Sequence, residues 1–199
     1  MDKLDLSKAI TSLLNGKLIV YPTDTLYGLG ADIFNEEAVK KVFKIKKRPF
    51  ENPLPIAVSD FEMLNKIAIV DRNSATLIKK FLPGKLTLIL TKKDIIPDVV
   101  TGGNKKVAVR IPDNKIALEI ISHFGPVTAT SANIHGTKTP GFINDIRMQF
   151  SSEDIAVYLD SGQLEGQPST IVDSSEEGIS VIREGAIKKG EILDAIKDE

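Results

Sequence analysis

Ile155-Ala156-Val157-Tyr158-Leu159-Asp160, Ser169-Thr170-Ile171-Val172-Asp173 and Ile179-Ser180-Val181-Ile182-Arg183 follow one another near the end of the chain. Each is a short run rich in β-branched residues, and turn-forming residues separate them, which is the pattern of consecutive strands. Upstream, strands and helices alternate instead. Leu4 to Leu14 places apolar residues at helical spacing, and Asn15-Gly16 ends it, as glycine does past a helix C-terminus. Leu18 to Tyr21 is an apolar run closed by Pro22 and reads as a buried strand. Thr23 to Ala31 is a loop rich in hydroxyl groups and glycine. Asn35 is the N-cap of a helix with Glu36 and Glu37 in its first turn and Val39, Val42 and Phe43 on its apolar stripe. Pro49 disfavours helix at Arg48, so this helix stops near Lys47.

Further strands are expected at Leu54 to Val58, Leu86 to Thr91, Val107 to Ile111 and Val127 to Thr130. One further helix starts at a capping box of Ser59 and Glu62. Another runs from about Asn73 to Leu82, where Pro83-Gly84 ends it. A third covers Lys115 to His123, and a last short one follows Gly190 to Lys197. Early alternation with strands bunched late predicts an α/β (α+β) fold: a mixed sheet with helices packed on it, not a purely parallel doubly wound sheet. No repeat, low-complexity tract or linker divides the chain, so residues 1–199 form one domain.

The bulk composition narrows the function. A chain of 199 residues with 42% hydrophobic and 27% charged residues is an ordinary globular protein able to bury its own core. Without cysteine it has no disulfides, thiolate zinc sites or cysteine nucleophiles, and His123 and His135 are too few for a histidine metal cage. A net charge of -1 supplies no overall field for nucleic acid. The start, Met1-Asp2-Lys3-Leu4-Asp5, lacks the apolar run of a signal peptide, and no apolar stretch approaches the roughly 20 residues of a membrane helix. These features predict a soluble cytoplasmic protein with no membrane partner.

Three segments carry chemistry-bearing residues. Tyr21-Pro22-Thr23-Asp24-Thr25-Leu26-Tyr27-Gly28-Leu29-Gly30 follows a strand and offers two hydroxyls and a carboxylate to a small polar ligand; alternatively it is only an Asx or Ser/Thr turn. Ile33 stands where a dinucleotide fingerprint needs its third glycine. Lys40, Lys41, Lys44, Lys46, Lys47 and Arg48 form a basic cluster. The first three read as a solvated helix face. Lys46 and Arg48 lie where the helix must yield to Pro49, so both could enter a common cleft that takes a triphosphate. In Thr130-Ser131-Ala132-Asn133, the side chains of Ser131 and Asn133 alternate as in a strand and could face one side, toward a phosphate or a metal-bound water; a simple turn is the other reading. Arg110 and Arg183 each end an apolar strand, where a buried guanidinium needs an anionic partner from protein or ligand. No Walker A segment, esterase elbow or His-Glu-x-x-His motif is present, so phosphate handling would use scattered side chains.

Taken in order, Pro22-Thr23-Asp24-Thr25-Leu26-Tyr27-Gly28-Leu29-Gly30, Lys46-Lys47-Arg48-Pro49, Pro83-Gly84-Lys85-Leu86-Thr87, Arg110-Ile111-Pro112, Ser131-Ala132-Asn133, Ser169-Thr170-Ile171 and Arg183-Glu184-Gly185 resemble the YrdC-like family of threonylcarbamoyl-AMP synthases. The agreement spans Pro22 to Gly185. The resemblance implies a twisted mixed parallel and antiparallel sheet flanked by helices, with a central basic cleft, in the short single-domain form. It implies ATP, L-threonine and bicarbonate as substrates, usually with Mg2+ whose ligands it leaves open. A tRNA threonylcarbamoyl transferase would act downstream, with tRNA as a further candidate partner. Lys46, Arg48, Ser131 and Asn133 correspond to the catalytic tetrad around the phosphates. Arg48, Asn52, Thr87, Ser131, Thr139 and Arg183 correspond to ATP contacts, and Thr25, Arg110, Ala129 and Ser169 to the L-threonine site. Two positions depart from the family: Lys85 replaces the second proline of Pro-Gly-Pro, and Ala57 stands where some members carry a histidine. Two rival readings are a non-catalytic RNA-binding protein using the Lys40 to Arg48 patch, and a carbamoyl-adenylate-forming domain.

Overall fold

The computed structural model describes residues 3–150, 153–176 and 178–197, so Met1 and Asp2 of the charged start lie outside the described residues. In chain order the elements are α1 (Lys3–Leu14), β1 (Leu18–Tyr21), β2 (Gly28–Gly30), α2 (Glu36–Lys46), β3 (Ile56–Ala57), α3 (Phe61–Ile67), β4 (Ala68–Ile69), α4 (Arg72–Phe81), β5 (Leu86–Lys92) and α5 (Asp98–Thr101). They continue with β6 (Lys106–Arg110), α6 (Lys115–Phe124), β7 (Val127–Thr128), β8 (Thr130–Ser131), α7 (Ile143–Phe150), β9 (Ile155–Tyr158), β10 (Thr170–Asp173), β11 (Ser180–Arg183) and α8 (Lys189–Lys197).

The expected mixed sheet is two mixed sheets. The smaller has the order β8-β2-β1-β9, and the larger runs β11-β10-β5-β6-β3-β7 with β4 paired to β5. Parallel pairs (β1 with β9, β10 with β5, β3 with β6) sit among antiparallel ones. The three late runs therefore do not lie side by side: β9 closes the small sheet, while β10 and β11 form one end of the large one.

β1 shows how the core is built. All four of its residues are buried, and they alternate between two clusters. Leu18 and Val20 join the main core, whereas Ile19 and Tyr21 join a second one with Ala9 and Leu13 of α1 and Ala117, Ile120 and Ile121 of α6. A strand covered on both faces reads as a continuous apolar run, which is what Leu18 to Tyr21 is.

Several local expectations change. The end of the Thr23 to Ala31 loop is strand β2, antiparallel to β1, with Tyr21 opposite Gly28 and Ile19 opposite Gly30. A Cβ at either glycine would come within 3.0 Å of a β1 side chain, so small residues permit the pairing. The cap of α3 is Asp60, not Ser59: Asp60 accepts from the Met63 amide at 2.8 Å, and the Ser59 hydroxyl donates to Asp60. The last helix begins at Lys189, so Gly190 lies inside it, with Glu191 accepting from the Lys188 amide. The Leu54 to Val58 run pairs only at Ile56–Ala57. Helices α5 and α7 had no counterpart in the sequence reading.

The Val127 to Thr130 run is broken in two. β7 pairs with β3 in the large sheet and β8 with β2 in the small one, and the Ala129 amide between them donates to the Pro55 carbonyl at 2.7 Å. Thr128 ties the sheets together at this break. Its hydroxyl donates to the Leu29 carbonyl at 2.8 Å and accepts from the Ala31 amide at 3.0 Å, while its carbonyl accepts from the Tyr21 hydroxyl at 3.0 Å.

Candidate active site

The loop after β1 is organised by Thr23. Its hydroxyl accepts from the Thr25 and Leu26 amides and donates to the Leu26 carbonyl at 2.6 Å, so the Ser/Thr turn is real. The turn also presents Asp24 and Thr25 to Arg110. The guanidinium donates to the Thr25 hydroxyl at 3.2 Å and to one Asp24 oxygen at 2.5 Å. Both side chains of this ion pair are more than nine-tenths buried, and Arg110 Nε and Asp24 Oδ2 have no hydrogen-bond partner among the described residues. Arg110 ends β6, beside Ala57 of β3. Leu88 of β5 is opposite Val109, which sets Thr87 alongside Arg110. Tyr21 packs against the same charges, and burial holds its hydroxyl far above its usual pKa.

A second group forms where α2 ends. Lys47 takes a left-handed conformation (φ 50°), and its amide and that of Arg48 close the helix on Lys44 and Phe43. Lys46 is 1% exposed. Its ammonium donates to the carbonyls of Ser131 (2.5 Å) and Asn133 (2.7 Å) and, at 3.4 Å, to the Asn133 side chain. The Ser131 hydroxyl donates to the same Asn133 side-chain oxygen at 2.5 Å, so the two alternating side chains do face one side. The Asn133 amide group in turn donates to the Ile134 and Thr137 carbonyls, leaving the turn with no slack. Burial first, and the Arg48 charge second, lower the Lys46 pKa to about 7. Half-buried Arg48 donates through Nε to the Asn52 carbonyl and through Nη2 to the Pro53 carbonyl, and its Nη1 is 3.4 Å from His135 Nδ1. β8 pairs with β2, opposing Ser131 to Gly28, and so sets this group beside the strand that follows the Thr23–Thr25 loop.

A third group joins Thr87, Ser169 and Arg183. The Thr87 and Ser169 hydroxyls are 2.8 Å apart, and Arg183 donates to the Ser169 carbonyl at 2.8 Å. Burial and the Arg110 charge lower the Arg183 pKa, which sets the two guanidinium groups within electrostatic reach of each other. Thr139 is partly buried in the irregular segment before α7, and Ala129 lies between the two broken strands. Lys40 pairs with Glu37 on a solvated helix face as expected, whereas partly buried Lys41 does not, tying α2 to Asp154 and the Gly16 carbonyl. Lys85 is exposed, and its carbonyl accepts from Thr170.

Asp24 stood in the sequence only as one carboxylate of a loop, and no motif marked it as the partner of Arg110. His135 and Gly166 gave no signal at all: they meet Arg48 and Thr25 across 87 and 141 positions respectively. Among the described residues no group of three or more His, Cys, Asp or Glu could hold a metal ion, and no helix is long and apolar enough to cross a membrane.

The arrangement places a buried guanidinium and hydroxyl next to a set of phosphate-capable cations. Known proteins are similar to this chain in sequence and in fold. Residues 11–185 match the Sua5_yciO_yrdC family, described as telomere recombination. A Methanocaldococcus jannaschii protein is 42% identical over 88% of this chain and 83% of its own length. The threonylcarbamoyl-AMP synthase of Pyrococcus abyssi is 40% identical over 89% of this chain, which spans 53% of that relative. The crystal structure of P. abyssi Sua5 complexed with L-threonine superposes with a TM-score of 0.93 at 37% identity, covering 98% of this chain and 58% of that one.

Proposed function

The chain belongs to the Sua5_yciO_yrdC family, and on that footing we propose that it makes L-threonylcarbamoyl-AMP and pyrophosphate from L-threonine, bicarbonate and ATP, as a nucleotidyltransferase serving threonylcarbamoyladenosine formation in tRNA. The observation that carries the reading is Arg110: a buried guanidinium at the Thr25 hydroxyl, with Nε unpartnered, is suited to the carboxylate of a small hydroxy amino acid. Ala129 and Ser169 would line that side.

The threonine amine and bicarbonate give an N-carboxy species with loss of water. One of its oxygens attacks the ATP α-phosphorus, the bond to the bridging oxygen breaks, and pyrophosphate leaves. Negative charge grows on phosphoryl oxygens, so fixed cations and donors matter more than a strong base. Partly buried Arg48 and more exposed Arg183 are the cations available for this. Lys46, Ser131 and Asn133 hold one another in the turn beside them, and Asn52, Thr87 and Thr139 would complete the nucleotide side. Magnesium would arrive on the triphosphate as part of the substrate, since a hard cation held mainly by phosphate oxygens and water needs few protein ligands. The product would pass to a tRNA threonylcarbamoyl transferase.

The test is pyrophosphate release from ATP with bicarbonate, with and without L-threonine. Release that requires threonine is expected. Release that ignores threonine but responds to carbamoyl phosphate would overturn the reading.

A further inference from the structure

Between β9 of the small sheet and β10 of the large one, residues 159–169 cross the molecule without regular structure. The crossing is held at successive points. The Tyr27 hydroxyl donates to the Gly162 carbonyl at 2.7 Å and accepts from the Ser161 amide at 2.9 Å. The Leu164 amide donates to the Gly141 carbonyl at 3.0 Å, next to the Thr139 segment. The Gly166 amide donates to the Thr25 carbonyl at 3.0 Å, and the Pro168 carbonyl accepts from Ala186, just past Arg183. This strap therefore touches the backbone of the first group at Thr25 and runs into the third at Ser169.

Its contact with Thr25 leaves no room for a side chain. A Cβ at position 166 would stand 2.2 Å from the Thr25 carbonyl oxygen and 2.7 Å from its Cα. Ordinary contact requires the strap to retreat by roughly 1 Å, which would break the hydrogen bond that Gly166 makes. The φ of Gly166 is not in the left-handed region, so space and not backbone conformation demands glycine here. The Thr25 peptide is thus clamped from two sides: its amide is held by the Thr23 hydroxyl from within and its carbonyl by Gly166 from above. That clamp aims the Thr25 hydroxyl at Arg110.

We propose that Gly166 is a positioning residue for the amino-acid side of the site: by lying directly on the Thr25 peptide, the strap fixes the Thr25–Arg110 geometry that selects a small hydroxy amino acid. The inference rests on the threonine reading above. It assigns no contact with the nucleotide to Gly166, so it predicts a split between the two substrates.

Gly166→Ala is compared with the wild type in threonine binding by calorimetry and in steady-state pyrophosphate release. The expected result is a rise of at least tenfold in the threonine Kd and KM, with the ATP KM changed by less than about twofold and kcat at saturating threonine largely kept. Unchanged threonine affinity, or equal rises for both substrates, overturns the proposal. In the wild-type chain, hydrogen exchange at the Gly166 amide should slow on adding L-threonine and not on adding ATP alone. This readout needs no variant, and an amide indifferent to threonine also overturns the proposal. Failure of the wild-type chain to bind threonine would instead remove the functional reading and this inference with it, so the two failures are distinguishable.

Discussion

Lys46 brings a positive charge into a place where every acceptor is neutral: two carbonyls and an amide oxygen. Its pKa in the folded chain falls from the ordinary 10.5 to about 7. Between those values the unfolded chain binds a proton that the folded chain does not, so stability rises with pH across that window. The cost of burying the charge is fully present below pH 7. Urea titrations from pH 7 to 10 should show a rising midpoint in the wild type and a flatter profile in Lys46→Met; parallel profiles would remove Lys46 as the cause. Arg48 differs, because it is only partly buried, where α2 gives way to the following loop. Arg48→Ala should keep the fold and lower turnover about a hundredfold, on the order of 3 kcal/mol of transition-state stabilisation. Turnover near wild type in the pyrophosphate assay would remove its assigned role.

At the scale of elements, the helices were more legible than the short strands. α2 was readable in full: Asn35 caps it by accepting from Ala38, its acidic residues stand in the first turn, and Lys47 closes it next to Pro49. These are local effects over four or five residues, and sequence carries them. At α3 the neighbouring Ser59 and Asp60 both had capping chemistry, and the chain uses Asp60, whose carboxylate reaches Met63. Asp60→Ala should therefore cost about 1 kcal/mol in urea unfolding. Ser59→Ala should cost clearly less, and the reverse order would move the cap back to Ser59. The Val127 to Thr130 run could not be parsed in the same way. Four residues of β-type sequence do not say which partner strands they will meet, and here they meet strands in two different sheets.

At the scale of the molecule, that split is what assembles the site. Thr128 joins the sheets with its hydroxyl and its carbonyl, at 0% exposure. Thr128→Val keeps the shape and orphans the Ala31 amide and the Leu29 carbonyl. A loss of about 2 kcal/mol or more is expected from chemical denaturation, because each buried unsatisfied group carries a desolvation cost of roughly that size. A loss below about 0.5 kcal/mol would show that the sheets do not depend on this junction. The near-zero net charge belongs to this scale too: the cations that matter act within a few ångströms and not through an overall field.

The amino-acid sequence by itself determined the α/β class, the Asn35 cap of α2, the buried strand Leu18 to Tyr21 and, through seven ordered short motifs, the family. Hydrophobic period, capping and motif order are local or additive properties, so they survive without coordinates. Only the tertiary structure decided that there are two sheets, that Asp24 is the partner of Arg110, that Lys46 is buried among carbonyls and that Gly166 lies on Thr25. Each of these is a contact between residues 85 to 141 positions apart or a division of one run between two partners. Such contacts depend on which surfaces close against each other, and no pattern within either segment records that choice.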